Sequence, residues 1–204
     1  MQIKVNLKIF IFIILFIITN QIKIYGILMW FALLHEIGHL IIGIILGFKP
    51  RALSIKPVGL SISFKIKPED IDHKIKNGTY LEFKKIFIGM AGPLTNLVLA
   101  ILYFNFNITL FGIPQEIAVY SNILIGIFNL LPIYPLDGGR ILKSILHIFM
   151  GYEKSEKYIK TISWVTVIII TIISSICILY IKNIALFIII IYLWGLNLKA
   201  NPII

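Results

Sequence analysis

Three ionisable side chains fall within five residues of an apolar stretch, where Leu34-His35-Glu36-Ile37-Gly38-His39-Leu40 reads H-E-x-x-H. Residues four apart share one helical face, so His35 and His39 can direct two imidazoles at a single Zn²⁺. Glu36 stands beside the first of them, where its carboxylate can accept a proton from water at the metal. In a soluble chain a pattern with three fixed positions arises by chance. Inside a membrane, a carboxylate near mid-helix costs roughly 2.5–3.5 kcal/mol on insertion, so this cluster calls for a partner beyond simple hydrogen bonding between helices. Gly38 and Gly43 are small enough to admit a neighbouring helix, although glycine also serves packing alone in membrane spans.

A catalytic zinc takes three protein ligands and keeps one position for water. His73, in a charged loop, and His147, on an interfacial stretch, read as solvated side chains. Asp137 is better placed. It follows Leu131-Pro132-Ile133-Tyr134-Pro135-Leu136, and two prolines cannot sit in a regular helix, so the span that carries them must be broken there. Non-helical backbone at membrane depth survives only where protein or a watery cavity satisfies it, which turns the Asp137 carboxylate toward a polar site. The same residue also suits the N-cap of a helix beginning at Gly138, and the two roles can coexist. A third polar element is Gly89-Met90-Ala91-Gly92-Pro93-Leu94-Thr95-Asn96, whose glycines and proline kink or loosen a helix. The Asn96 amide suits either a substrate backbone or a bond between helices, and both readings stand.

The elements that must position these groups are membrane helices. Of 204 residues 59% are hydrophobic and only 14% charged, too few polar groups to coat a soluble globule of this size. Apolar runs at Ile9–Thr19, Ile24–Phe48, Ile86–Phe104, Glu116–Leu131, Ile162–Ile181 and Ile184–Leu198 approach the roughly 20 residues a helix needs to span hydrocarbon, the first and last being the shortest. The first run follows Lys4 and Lys8 as a signal peptide would, but no Ala-x-Ala-like site comes after it, so it reads as a span. The expected architecture is an all-α polytopic membrane protein of about six transmembrane helices with a broken fourth span. Span two, leaving the bilayer at Phe48, puts His39 roughly 13 Å below the cytoplasmic end at 1.5 Å per residue.

A net charge of +10 suggests nucleic acid until its distribution is read. Seventeen of the 19 Lys and Arg residues lie in the two tails and in alternate loops, and only Lys23 and Lys182 lie in the others. The positive-inside rule gives that asymmetry and places both termini in the cytoplasm, and basic groups near anionic lipid need no nucleic-acid partner. Cys177, the single cysteine, cannot form an intramolecular disulfide and reads as a small apolar residue of span five.

One polar insert, 49–85, interrupts this membrane domain of residues 1–204. Leu60-Ser61-Ile62-Ser63-Phe64-Lys65-Ile66-Lys67 alternates with period two after a Pro57–Gly59 break, the pattern of a cytoplasmic β-hairpin; an amphipathic pair lying on the membrane fits it equally. Pro68–Thr79 is charged and reads as a mobile loop.

Taken together, H-E-I-G-H at His35–His39, G-M-A-G-P-L-T-N at Gly89–Asn96 and N-L-L-P-I-Y-P-L-D-G-G-R at Asn129–Arg140 resemble, in order and spacing, the site-2 protease family of intramembrane metalloproteases. The resemblance implies that His35, His39 and Asp137 hold Zn²⁺, that Glu36 is catalytic, and that Asn96, Asn129 and Pro135 lie near bound substrate. It implies hydrolysis of peptide bonds in membrane-associated or membrane-spanning proteins, with a transcription-factor precursor as one such substrate. The compact layout without an inserted PDZ domain is similar to the sporulation factor-processing branch. Members of that branch often end in a CBS domain, and none is expected here because the chain stops at Ile204. Expected partners are a protein substrate, the bilayer and a membrane regulatory protein. A divalent metal transporter would spread its ligands over several spans, whereas here they concentrate at one depth. A non-catalytic scaffold would keep the motifs without cutting.

Overall fold

The computed structural model describes residues 2–5, 8–18, 20–56, 59–65, 79–106, 112–181 and 184–200. The expected mobile loop at Pro68–Thr79 lies outside the described residues except for Thr79, as do His73 and the Cys177 side chain. Each of the six apolar runs overlaps a helix: α1 (Lys8–Ile18), α2 (Ile22–Ile45), α3 (Thr79–Phe106), α4 (Gln115–Asn129), α6 (Tyr152–Ile181) and α7 (Ile184–Ala200), with α5 (Asp137–Met150) between the fourth and fifth. Among the described residues, three stretches are long and apolar enough to cross a membrane: Ile22–Ile45, Thr79–Phe106 and Tyr152–Ile176. They expose large apolar side chains such as Ile41, Leu97, Val98, Ile169 and Ile173 while serines and asparagines are buried, an inversion that hydrocarbon solvent favours. The chain is an integral membrane protein.

It folds as two compact units. The first holds Met1–Lys76 and Phe87–Phe128. Its core is Phe31, Tyr103, Ile113 and Ala118, with the Phe31 and Tyr103 rings edge to face at 5.7 Å. α2 ends earlier than its apolar run implies. Gly47 takes φ +88°, the Phe48 N–H reaches the Gly43 carbonyl at 2.9 Å, and the Gly47 N–H reaches Ile44 at 2.9 Å. That pair of bonds is the Schellman ending, which glycine permits because it lacks a Cβ. With the helix stopping at Ile45, His39 lies about 9 Å from its end, shallower than Phe48 suggested.

Beyond this stop the chain forms β2 (Lys49–Lys56) and β3 (Gly59–Lys65), antiparallel with Leu53 opposite Ile62. The expected hairpin is therefore present, but it is not alone. β1 (Gln2–Val5) adds in parallel to β2, giving a three-stranded sheet ordered β1-β2-β3. A parallel partner requires a long crossover, which α1 and α2 supply and no local pattern announces. Phe64 of β3 sits where a Cβ on Gly43 would be, so Gly43 admits a strand's aromatic ring, whereas Gly38 admits α3.

The second unit holds Asn77–Ile86 and Asn129–Ile204. The helix break is real, with turns and bends between Asn129 and Asp137. Within it the Ile133 and Leu136 N–H groups donate to Leu131 and Ile133 carbonyls at 2.7 Å, and the Tyr134 N–H donates to Ser163 Oγ of α6 at 3.0 Å. Protein groups thus satisfy the backbone that two prolines prevent from being helical. Pro93, by contrast, is absorbed within a continuous α3. α6 and α7 pack through Trp164 and Trp194, and the Trp194 indole donates to Thr171 Oγ1 at 3.0 Å.

Gly138 and Gly139 let the start of α5 lie on the broken segment: a Cβ at residue 139 would stand 2.5 Å from Ile133 C and Tyr134 N. Backbone atoms cannot swing aside as a side chain can, so Gly139→Ala is expected to cost about 1–3 kcal/mol. Gly195→Ala on α7, where nothing lies within 4 Å, is expected to stay within roughly 0.5 kcal/mol. Thermal unfolding of the two variants in detergent measures the difference; equal melting temperatures would contradict this packing.

Candidate metal centre

His35 and His39 project from α2 and are 2% and 5% exposed. The Nδ1 of His39 lies 2.6 Å from the Ile88 carbonyl of α3, and a carbonyl only accepts, so Nδ1 carries the proton. His35 Nδ1 lies 2.5 Å from Asn96 Oδ1, also of α3, and the same reasoning protonates it. A neutral imidazole holds one proton, so both Nε2 atoms present lone pairs. These lone pairs face each other with the Nε2 atoms 3.1 Å apart.

Two unprotonated nitrogens at that distance in an apolar interior repel unless a cation lies between them. Ligands about 2.0–2.1 Å from a tetrahedral ion stand roughly 3.3 Å from each other, close to the spacing seen here. The histidine pair therefore fits zinc in tautomer and in spacing. The floor beneath it is Gly92: a Cβ there would come 2.5 Å from His35 Nε2 and would also overlap His39 Nε2. Gly38 plays the matching part on α2, since a Cβ at that position would run into Thr95 and come 3.0 Å from the Ala91 carbonyl. Small residues on both helices let α3 approach closely enough to supply the two acceptors that set the imidazoles.

Asp137 is buried and is the first residue of α5. The cap is Leu136, so Asp137 does not cap a helix starting at Gly138. Its first-turn position still favours a negative charge through the helix dipole. The Arg140 guanidinium lies 3.9 Å from Oδ1. His35 and His39 lie in the first unit and Asp137 in the second, and all three side chains are buried. His147 Nδ1 lies 3.1 Å from Glu82 Oε1.

Glu36 is half-buried and points elsewhere on α2: its Oε2 accepts the Ile62 N–H of β3 at 3.0 Å. That bond ties the glutamate to the sheet and leaves Oε1 for a proton. Asn96 is fully buried, accepting from His35 and donating through Nδ2 to Asn122 Oδ1 at 2.8 Å. Asn129 ends α4 and Pro135 lies in the break, both half-buried. Sequence reading missed Asn122, the Ile88 carbonyl, the Ile62 N–H and Gly92 as parts of the site. Asn122 alone had a readable signal, being an amide in an apolar run like Asn96; backbone donors and acceptors have none.

Comparison with known proteins agrees with this geometry. The family model described as Peptidase family M50 matches residues 114–173. The zinc metalloprotease MJ0392 of Methanocaldococcus jannaschii is 32% identical over 131 residues, covering 61% of this chain and 34% of the relative. A putative zinc metalloprotease of Mycobacterium tuberculosis, Rip3, is 42% identical over 67 residues, 29% of this chain and 17% of its own length. The chain thus spans about a third or less of these relatives. The solved structure of the site-2 protease from M. jannaschii superposes with a TM-score of 0.69 at 25% identity, covering 99% of this chain and 91% of that one. Paired imidazoles preset for a metal stand beside a peptidase M50 match over residues 114–173 and a likeness of the chain to a solved site-2 protease.

Proposed function

We propose that this chain is an intramembrane zinc endopeptidase in which His35, His39 and Asp137 hold the metal and Glu36 is the catalytic base. The observation that carries the reading is the pair of Nε2 atoms 3.1 Å apart, with an acceptor at each Nδ1. Zinc, when bound, polarises the scissile carbonyl and acidifies the attacking water. Glu36 takes that proton on Oε1 and returns it to the leaving amine, while the Ile62 N–H holds Oε2 in place.

Substrate enters as an extended segment. Because the Ile62 N–H goes to Glu36 and not to β2, the two-residue alternation turns the N–H groups of Leu60 and Phe64 to the same outer edge. An unwound substrate pairing along that edge would be delivered to the base by main-chain bonds that ignore side-chain identity. Asn129 and Pro135 are assigned to the substrate's surroundings on the family resemblance. The substrate is a membrane-associated or membrane-spanning protein, a transcription-factor precursor being one such class. The relatives' names support zinc proteolysis and do not extend to sporulation. Residues 1–204 act as one membrane domain, crossing six times with both termini and the sheet in the cytoplasm.

Glu36→Gln is expected to retain stoichiometric zinc and to lose about 10²–10⁴-fold of its cleavage rate. Zinc content and cutting of a panel of tagged single-span proteins, compared with wild type, measure both; undiminished cutting, or cation flux in place of cutting, would remove the protease reading. Gly92→Ala is expected to stay folded and lose zinc, because the methyl group fills the place of the two Nε2 atoms. Metal content and melting temperature read together test this, and full zinc occupancy would refute the assigned position. For the topology, a cysteine at Gly112 should react with an impermeant maleimide in intact cells and one at Glu153 should not; the reverse pattern would invert the orientation.

A further inference from the structure

We infer that Asn122 is a positioning residue for the metal site, fixing the tautomer of His35 through Asn96 without touching the metal or the substrate. The inference rests on the reading of His35 as a ligand. Asn122 lies on α4, fully buried, and donates through Nδ2 to the Ala118 carbonyl at 2.8 Å. That carbonyl belongs to the backbone and can only accept, so the nitrogen end of the Asn122 amide must face it. Its oxygen end must then face Asn96, where it accepts from Nδ2 at 2.8 Å. With its nitrogen so engaged, Asn96 has only its oxygen to offer His35, at 2.5 Å. His35 Nδ1 is obliged to carry the proton, and Nε2 is obliged to carry the lone pair.

Each orientation in this chain follows from the one before it, and the chain begins at a group whose polarity cannot change. An amide looks nearly the same from either end in shape, so packing alone would not hold Asn96 in the ligating sense. Were the Asn96 amide turned over, its nitrogen would face His35 and select the opposite tautomer, with a hydrogen on Nε2 where a metal needs a lone pair. Asn122 removes that alternative. His39 needs no such relay, because the Ile88 carbonyl reads its Nδ1 directly. Partners behind a metal's ligands typically govern affinity by 10–100-fold.

The test is a double-mutant cycle on the full chain. Zinc affinity is measured by competition with a chromogenic chelator for wild type, Asn122→Leu, Asn96→Leu and the double variant. Asn122→Leu is expected to weaken zinc binding by about 10–100-fold. In the Asn96→Leu background the same change should alter it less than about 2-fold, because the relay is already cut. Wild-type affinity in a folded Asn122→Leu protein, or an equal loss in both backgrounds, overturns the inference in favour of a packing role. The imidazole nitrogen shifts of His35 in metal-free protein supply a second reading. Wild type should show one tautomer protonated at Nδ1, and Asn122→Leu a mixture; one unchanged tautomer in both would also overturn it. If Asn122→Leu does not fold, Asn122→Ala is read the same way. Failure of the metal assignment shows differently: wild type would bind no zinc, while the tautomer shifts would still report on Asn122.

Discussion

Two lone pairs aimed at each other inside an apolar helix bundle are the constraint around which the first unit is arranged. The His35 and His39 Nε2 atoms, 3.1 Å apart, are held in that sense by acceptors on α3 at both Nδ1 atoms. Hydrocarbon offers no water to relieve the repulsion, so the arrangement favours a cation between the two nitrogens. The specificity for metal is therefore as much a matter of the acceptors behind the imidazoles as of the imidazoles themselves. Remove those acceptors and the same two histidines can bond to each other and become an ordinary pair.

Close approach of α2 and α3 makes this possible, and small residues make the approach possible. Gly38 and Gly92 occupy facing places where a single added carbon would meet Thr95 on one side and both imidazoles on the other. In lipid there is little hydrophobic force to drive helices together, so contact distance and polar bonds decide which helices pair. The Asn96–Asn122 amide pair joins α3 to α4 by the same means, with every polar atom of the chain from Ala118 to His35 directed. In the second unit, Ser163 and the glycines after Asp137 do the corresponding work for the broken segment.

The sheet meets α2 at Glu36. Gly47 ends α2 soon after His39, Gly43 seats Phe64, and the Ile62 N–H then falls against Glu36. On the proposed function, a base anchored to a strand edge would lie where a strand-like substrate could be brought. α2 carries the two histidines, and the polar insert anchors Glu36.

Residue types and their spacing in the chain determined a good deal: six apolar runs that overlap helices, a hairpin in the polar insert, the break at Pro132 and Pro135, and the H-E-x-x-H pair on one helical face. These are local properties, set by periodicity, by missing N–H groups and by the cost of ionisable side chains in lipid. Folding decided what depends on partners distant in sequence. The Ile88 carbonyl, the Ile62 N–H and the parallel pairing of Gln2–Val5 with β2 are backbone contributions, carried equally by any residue type and so invisible in the letters. The end of α2 at Ile45 and the place of Asp137 as first residue of α5 were likewise fixed by backbone bonding in three dimensions. Asn122 marks the boundary between the two: its amide is conspicuous in an apolar run, but only the fold shows that it stands two bonds behind a histidine.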